Sequence, residues 1–245
     1  KELEIAMQEL REAQNKLIHS EKMASLGVLA AGIAHEINNP LNFIQGGISG
    51  LDTYIKETLP EHIAETEPLI NAIQEGIHRS SEIVQSLNRY SRKEEFPRTV
   101  CNVHTIIDSC LVMVNSQTKN RITVEKDYCG SDLNILCNEG QIHQAFLNII
   151  VNAIHSIEDK GTIRIATQML SNHVGITISD TGCGISDENL SRITDPFFTT
   201  KPAGKGTGLG LSITYNIILE HNGSIEFKSE QNLGTTVKVN LPYNI

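Results

Sequence analysis

The sequence predicts an α plus α/β chain. Residues 1–95 form a helical hairpin that pairs with a second copy into a dimeric four-helix bundle, and residues 96–245 form an α/β sandwich, a mixed sheet with helices on one face. Three observations carry this prediction. Apolar residues recur at steps of three and four through most of residues 1–95, broken at "LPEH" (59–62). Past Pro97 the texture changes to short β-branched runs mixed with amphipathic ones. Several of those strand-like runs follow one another directly, so a regular βαβ repeat does not fit and a mixed sheet does.

The first helix opens with Leu3, Met7, Leu10, Gln14 and Leu17, a short heptad seam with one polar member. The thread resumes as Leu26, Ala30, Ile33, Ile37, Leu41, Ile44, Ile48, Leu51 and Ile55. A single helix to residue 58 would be roughly 85 Å long at 1.5 Å per residue, which demands a partner helix. Ile70, Ile73, Ile77, Val84 and Leu87 supply one, ending in the charged "RYSRKEEFPR" at Pro97. Two antiparallel helices bury little between them, whereas two hairpins make a four-helix bundle, so a homodimer built on residues 1–95 is expected. A monomeric hairpin packed on the rest of the chain is the alternative.

In the second part, "VHTIIDSCLVMVNSQ" (103–117) and "EGQIHQAFLNIIVNAIHSIED" (139–159) read as helices. "RITVEKDY" (121–128), "TIRIATQML" (162–170), "HVGITISD" (173–180), "SIEFKSE" (224–230) and "TTVKVNLP" (235–242) read as strands. "GLGLSITYNIILEHNG" (208–223) reads as a helix closed by Gly223.

Composition narrows the function classes. With 20 basic and 29 acidic residues the net charge is −9, which argues against a polyanion-coating protein, and no nucleic-acid partner is expected. The five cysteines are odd in number and lack C-x-x-C spacing, as in reduced structural thiols rather than a disulfide frame or zinc site. No apolar run approaches the ~20 residues of a membrane span. The expectation is a cytoplasmic fragment of a longer protein, with no membrane contact of its own; membrane anchoring of the longer protein stays open.

"AGIAHEINNPLNFI" (31–44) places polar residues inside a helical run. At about 100° per residue, Ile33 and Ile37 lie about 160° from His35, whereas Asn39 is about 40° away and Asn42 about 20°. His35, Asn39 and Asn42 therefore share the face opposite the apolar seam. A neutral surface imidazole offers a free lone pair, and Glu36 could hold the other nitrogen's proton, which makes His35 a candidate nucleophile. Pro40 removes the hydrogen bond to the Glu36 carbonyl, so a bend or a tolerated kink is expected near His35.

"SDTGCGISD" (179–187) and "FFTTKPAGKGTGLGLSI" (197–213) both place glycines at alternate positions, and the second leads into a helix with Lys201 and Lys205 nearby. Such segments suit phosphate binding by backbone amides, although neither the P-loop nor the dinucleotide pattern is met. Asn148 and Asn152 stand one turn apart in an apolar helix. Buried amides need partners, which a hydrated magnesium ion with its phosphates or a core hydrogen bond would supply.

Together these stretches resemble the two-component sensor histidine kinases that join a histidine-phosphotransfer hairpin to a GHKL-type (Bergerat-like) ATP-binding domain. "HEINNPL" is similar to the phosphoacceptor box, "NIIVNA" to the N box, "DTGCGI" to the first glycine box, "DPFFTT" to the F box and "GKGTGLGLSI" to the second glycine box. The resemblance implies autophosphorylation of His35 by ATP and transfer to an aspartate on a response-regulator receiver domain. It further implies that Glu36 assists and that Asn39 supports phosphatase activity. By the same resemblance Asp180 binds the adenine amino group above Gly182 and Gly184, Asn152 ligates Mg²⁺, and Asn148 and His155 lie near the phosphates. Lys201, Lys205, Gly206, Thr207, Gly208, Leu209 and Gly210 belong to the lid and its helix start, hinged at Phe197 and Phe198. An ATP-hydrolysing conformational machine is the competing class. Its members carry a glutamate at the Asn148 position, and an amide cannot serve as that base. A catalytically silent dimeric scaffold is a third class, disfavoured by the intact glycine boxes and Asp180.

Overall fold

A computed structural model describes residues 36–91, 97–130, 132–202 and 206–243. The chain divides into two compact units, Lys1–Glu94 and Glu95–Ile245. The expected heptad lead-in, His35 and Lys205 lie outside the described residues.

In the first unit, α1 occupies residues 36–58 and runs through Pro40 without interruption. Leu59 closes it with a backbone bond to Ile55, Pro60–His62 form one 3₁₀ turn, and α2 (Ile63–Ser91) returns. Proline suits that turn because its fixed φ starts a helix without needing the amide it lacks. Ile55, Ile70, Ile77 and Val84 are buried. Ile37, Ile44, Leu51 and Ile73, which follow the same spacing, remain 38, 48, 47 and 43 % exposed. One hairpin thus covers only part of its apolar stripe. Glu36, Asn39 and Asn42 are exposed, as their helical phase requires.

The second unit runs β1 (Thr99–Asn102), α3 (Val103–Thr118), β2 (Ile122–Asp127), β3 (Asn134–Cys137), α4 (Glu139–Ser156), β4 (Gly161–Met169), β5 (His173–Asp180), α5 (Asp187–Leu190), α6 (Gly210–Glu220), β6 (Ser224–Glu230) and β7 (Gly234–Pro242). The main sheet has the order β2-β4-β5-β7-β6. Only the β2–β4 pair is parallel, because a crossover containing α4 connects those strands; the other pairs are antiparallel. α3, α4 and α6 pack together against one face. The core lies between: Ile106, Ile142, Phe146, Ile150, Ile163 and Ile165 are essentially inaccessible to solvent. β6 forms one margin of the sheet and exposes Glu226, Lys228 and Glu230 at alternate positions.

Helix starts follow local chemistry. Asn102 accepts hydrogen bonds from the amides of His104 and Thr105, and Asn138 from that of Gln141, satisfying donors the helices leave free. The end of α6 departs from expectation. The left-handed residue is Asn222 (φ 55°), not Gly223, which instead returns its amide to Ile218. Glycine is needed at 223 for space, because a Cβ there would sit 2.5 Å from the Asn240 carbonyl oxygen. The two-stranded ribbon β1–β3 and the short α5 were not expected from the sequence. Among the described residues no helix is long and apolar enough to cross a membrane.

Candidate active site

A cavity of about 430 Å³ opens between the C-terminal half of α4, the loop after β5, and the segment leading into α6. Asn152, His155, Asp180, Phe198, Lys201 and Gly208 are among its lining residues. This volume falls in the range of small-molecule sites. Its floor is built by α4, whose apolar stripe (Ile142, Phe146, Ile149, Ile150, Ala153, Ile154) is buried and so turns the polar positions of the last two turns toward the opening.

Asp180 ends β5 and is half-buried. Its Oδ1 accepts from the Ser156 hydroxyl at 2.9 Å and the Gly182 amide at 2.8 Å. Burial pushes its carboxyl above the ordinary 3.8, and the bonds from Gly182, Ser156 and the Thr235 backbone pull the other way. The turn after it depends on Gly184, which has φ 65°; a Cβ there would meet the Glu230 carbonyl oxygen at 2.1 Å.

Asn152 and Asn148 part company. The Asn152 side-chain oxygen faces the cavity and receives Lys201 Nζ at 3.4 Å. The same ammonium lies 3.0 Å from His155 Nδ1, so that nitrogen accepts and the imidazole is neutral. Burial first, then the Lys201 and Arg121 charges, hold the His155 proton affinity below its ordinary 6.5, and burial lowers that of Lys201 below 10.5. Asn148 points its amide nitrogen away from this group, donating to the Gly210 carbonyl at 3.1 Å and to Thr214 Oγ1 at 3.3 Å. The core-hydrogen-bond alternative applies to the nitrogen of Asn148, which fastens the start of α6 to α4.

The segment before α6 is tied at both stems. Phe197 has φ 65° and Gly208 φ 68°, and a Cβ on Gly208 would fall 2.3 Å from the Phe197 carbonyl carbon. Phe198 lines the cavity under the Arg192 guanidinium, 4.7 Å from its ring centroid. Gly206 and Thr207 are exposed, the Leu209 amide reaches Thr207 Oγ1, and Leu209 is fully buried where Gly210 opens α6.

The described geometry therefore gathers Asn152, His155, Asp180, Gly184, Lys201, Gly206, Thr207, Gly208 and Gly210 around one cavity. Gly182 sits in the adjoining turn, bonded to Asp180. Sequence reasoning missed Ser156, one turn beyond Asn152, which bonds directly to Asp180; a hydroxyl at that helical phase was the available signal. Among the described residues no group of His, Cys, Asp or Glu could hold a metal unaided. The Asn152 amide oxygen still fits Mg²⁺, which favours hard oxygen ligands and takes most of its shell from waters and phosphates.

Two families match the chain. Residues 25–96 match the His Kinase A (phospho-acceptor) domain, and residues 137–245 match the Histidine kinase-, DNA gyrase B-, and HSP90-like ATPase family. The sensor histidine kinase ZraS of Escherichia coli (strain K12) is 32% identical over 234 residues, covering 95% of this chain and 49% of that protein. Sporulation kinase A of Bacillus subtilis (strain 168) is 33% identical over 236 residues, covering 96% of this chain and 38% of that protein. This chain thus spans half or less of these relatives. Among solved structures, the histidine kinase ThkA in complex with response regulator protein TrrA superposes with a TM-score of 0.64 at 28% identity, covering 96% of this chain and 67% of that one. With a phospho-acceptor segment followed by this ATPase fold and its nucleotide-sized cleft, the chain belongs to the two-component sensor histidine kinases, of which it carries the catalytic core.

Proposed function

We propose that this chain is an ATP-dependent protein-histidine kinase that phosphorylates His35 and passes the phosphoryl group to an aspartate of a response-regulator receiver domain. The observation that carries the reading is the convergence of Asp180, Asn152 and Lys201 on one cleft beside the glycine-rich start of α6. Asp180 accepts from the adenine amino group, held rigid by Ser156 and Gly182. Lys201 and the amides around Gly206 and Gly208 meet the phosphates, with Lys205 adding charge. His155 steadies Lys201 from below. Asn152 would hold Mg²⁺, which when bound supplies charge neutralisation along the phosphates.

The neutral His35 nitrogen attacks the γ-phosphorus. An N–P bond forms, the bond from that phosphorus to the β–γ bridging oxygen breaks, and ADP departs. Glu36 takes the proton of the other ring nitrogen and so favours the attacking tautomer. Asn39, exposed one turn along α1, orients a water for removing phosphate from the receiver. The partly uncovered stripe at Ile37, Ile44 and Leu51 supports a homodimeric four-helix bundle as the receiver's docking stem. The fragment acts on the cytoplasmic side, where ATP is available. Hydrolysis as the purpose is disfavoured because Asn148 is an amide already engaged with Gly210 and Thr214.

Incubation with γ-labelled ATP should yield an acid-labile, base-stable label on the protein that is absent from His35→Ala. A label of unchanged intensity in that variant refutes the acceptor assignment.

A further inference from the structure

The last turn of α4 carries Asn152, His155 and Ser156, and its terminal carbonyls need partners that the helix itself cannot supply. Their bonds can be traced. The Ala153 carbonyl lies 2.8 Å from the Ser156 hydroxyl, and the Ser156 carbonyl takes the Cys183 amide at 2.9 Å. The Ile154 carbonyl accepts from Arg121 Nη2 at 3.0 Å, and the same nitrogen also donates to the Ile157 carbonyl. Arg121 sits just before β2, and its own carbonyl receives the Gly161 amide at 3.1 Å. The guanidinium thus ties the exit of α4 to the residue that precedes β2, while the backbone of that same residue holds the start of β4.

We infer that Arg121 is a positioning residue of the nucleotide cleft: it holds the last turn of α4, and through Ser156 the carboxylate of Asp180, in the orientation that reads the base. The inference rests on the nucleotide-binding role proposed above for Asp180. A cation at a helix C-terminus meets the partial negative charge of the free carbonyls, and here two of them are bonded directly. Arg121 Nε is buried and has no hydrogen-bond partner among the described residues, so the side chain is held by its Nη2 bonds alone at a cost in desolvation. Arg121 also ranks with Lys201 among the charges that depress the His155 proton affinity, so its field reaches the cleft although its side chain does not line it. Without Arg121 the Ile154 and Ile157 carbonyls lose their partner, the turn frays, and Ser156 no longer fixes one rotamer of Asp180.

The test uses the full chain with Arg121→Ala and Arg121→Lys, the lysine keeping the charge but not the planar fork. ADP and GDP affinities are measured by calorimetry, and the His155 titration by NMR. In Arg121→Ala, ADP binding is expected to weaken about tenfold while GDP binding changes little, narrowing base discrimination. The His155 midpoint should rise, and added guanidinium ion should restore part of the ADP affinity. Arg121→Lys should fall between, and it carries the test if the alanine variant does not fold. Folded variants that bind ADP within about twofold of the parent, or that lose ADP and GDP affinity by the same factor, overturn the inference. If the parent chain itself fails to bind ADP, the proposed nucleotide site fails instead.

Discussion

Asp180→Asn separates what the cleft needs from what the fold prefers. Asp180 sits in a half-buried setting that raises its pKa above 3.8, with desolvation the largest cause, so the fold disfavours its charged form. An acid whose folded pKa is raised stabilises the fold fully below its unfolded value, and that contribution is lost as pH rises through the folded pKa. Above the folded pKa the charge is therefore a net cost to stability. Asparagine removes the cost and can keep an oxygen where Oδ1 accepts from Ser156 and Gly182. Its NH₂ group replaces the other acceptor, and on the function proposed for this cleft a donor then faces the adenine amino group. Losing a hydrogen bond to a charged acceptor costs about 1.5–3 kcal/mol, or about 10- to 150-fold in the Kd for ADP. The variant should melt at or above the parent temperature at pH 7 while binding ADP that much more weakly by calorimetry. Parental ADP affinity in a folded variant, or a clearly lower melting temperature at pH 7, refutes the reasoning.

Gly184→Ala forces a side chain into the left-handed region, about 1–2 kcal/mol by itself, and drives its Cβ toward the Glu230 carbonyl oxygen; thermal melting should fall by about 4 °C or more. Cys183 is exposed and lines the cavity, whereas Cys101, Cys110 and Cys137 are buried, the Cys110 and Cys137 thiols pushed up to about 12. Mass spectrometry after brief alkylation should therefore find Cys183 modified before those three, more slowly when ADP is bound. His221 is buried, donating from Nδ1 to the Ile217 carbonyl and accepting the Asn138 amide at Nε2, which requires a neutral ring. Burial lowers its pKa below 6.5, with Arg98 lowering it further and Glu220 opposing, so its contribution to stability is full above 6.5 and is lost as pH falls below that value. His221→Gln should flatten this part of the melting-temperature profile, and an unchanged slope would exclude the imidazole as its source.

The legible parts of this molecule were those set by local repetition. The strands from Gly161 to Asp180 and from Ser224 to Pro242 announce themselves by β-branched alternation, and the glycine spacing around Asp180 and Gly208 marks the cleft. What escaped depends on distant partners. β1 and β3 are four residues each, too short for a periodic signal, and exist because Thr99 pairs with Cys137 and Asn102 with Asn134. Gly223 resembled a helix terminator, yet Asn222 takes the left-handed turn and glycine answers a crowding by Asn240. Asn148 resembled Asn152, and only the placement of Gly210 and Thr214 separates their duties. The spacing of Ile37, Ile44 and Leu51 was visible, but periodicity cannot say which chain covers a stripe.

A sheet with an open margin invites strangers to extend it, and β6 is such a margin. Its alternating Glu226, Lys228 and Glu230 make an added strand bring matching charge or water into the new seam, a deterrent to fibrous stacking. Phe227 of that strand also lines the cavity, so the border that discourages an added strand is at the same time part of the wall of the cleft.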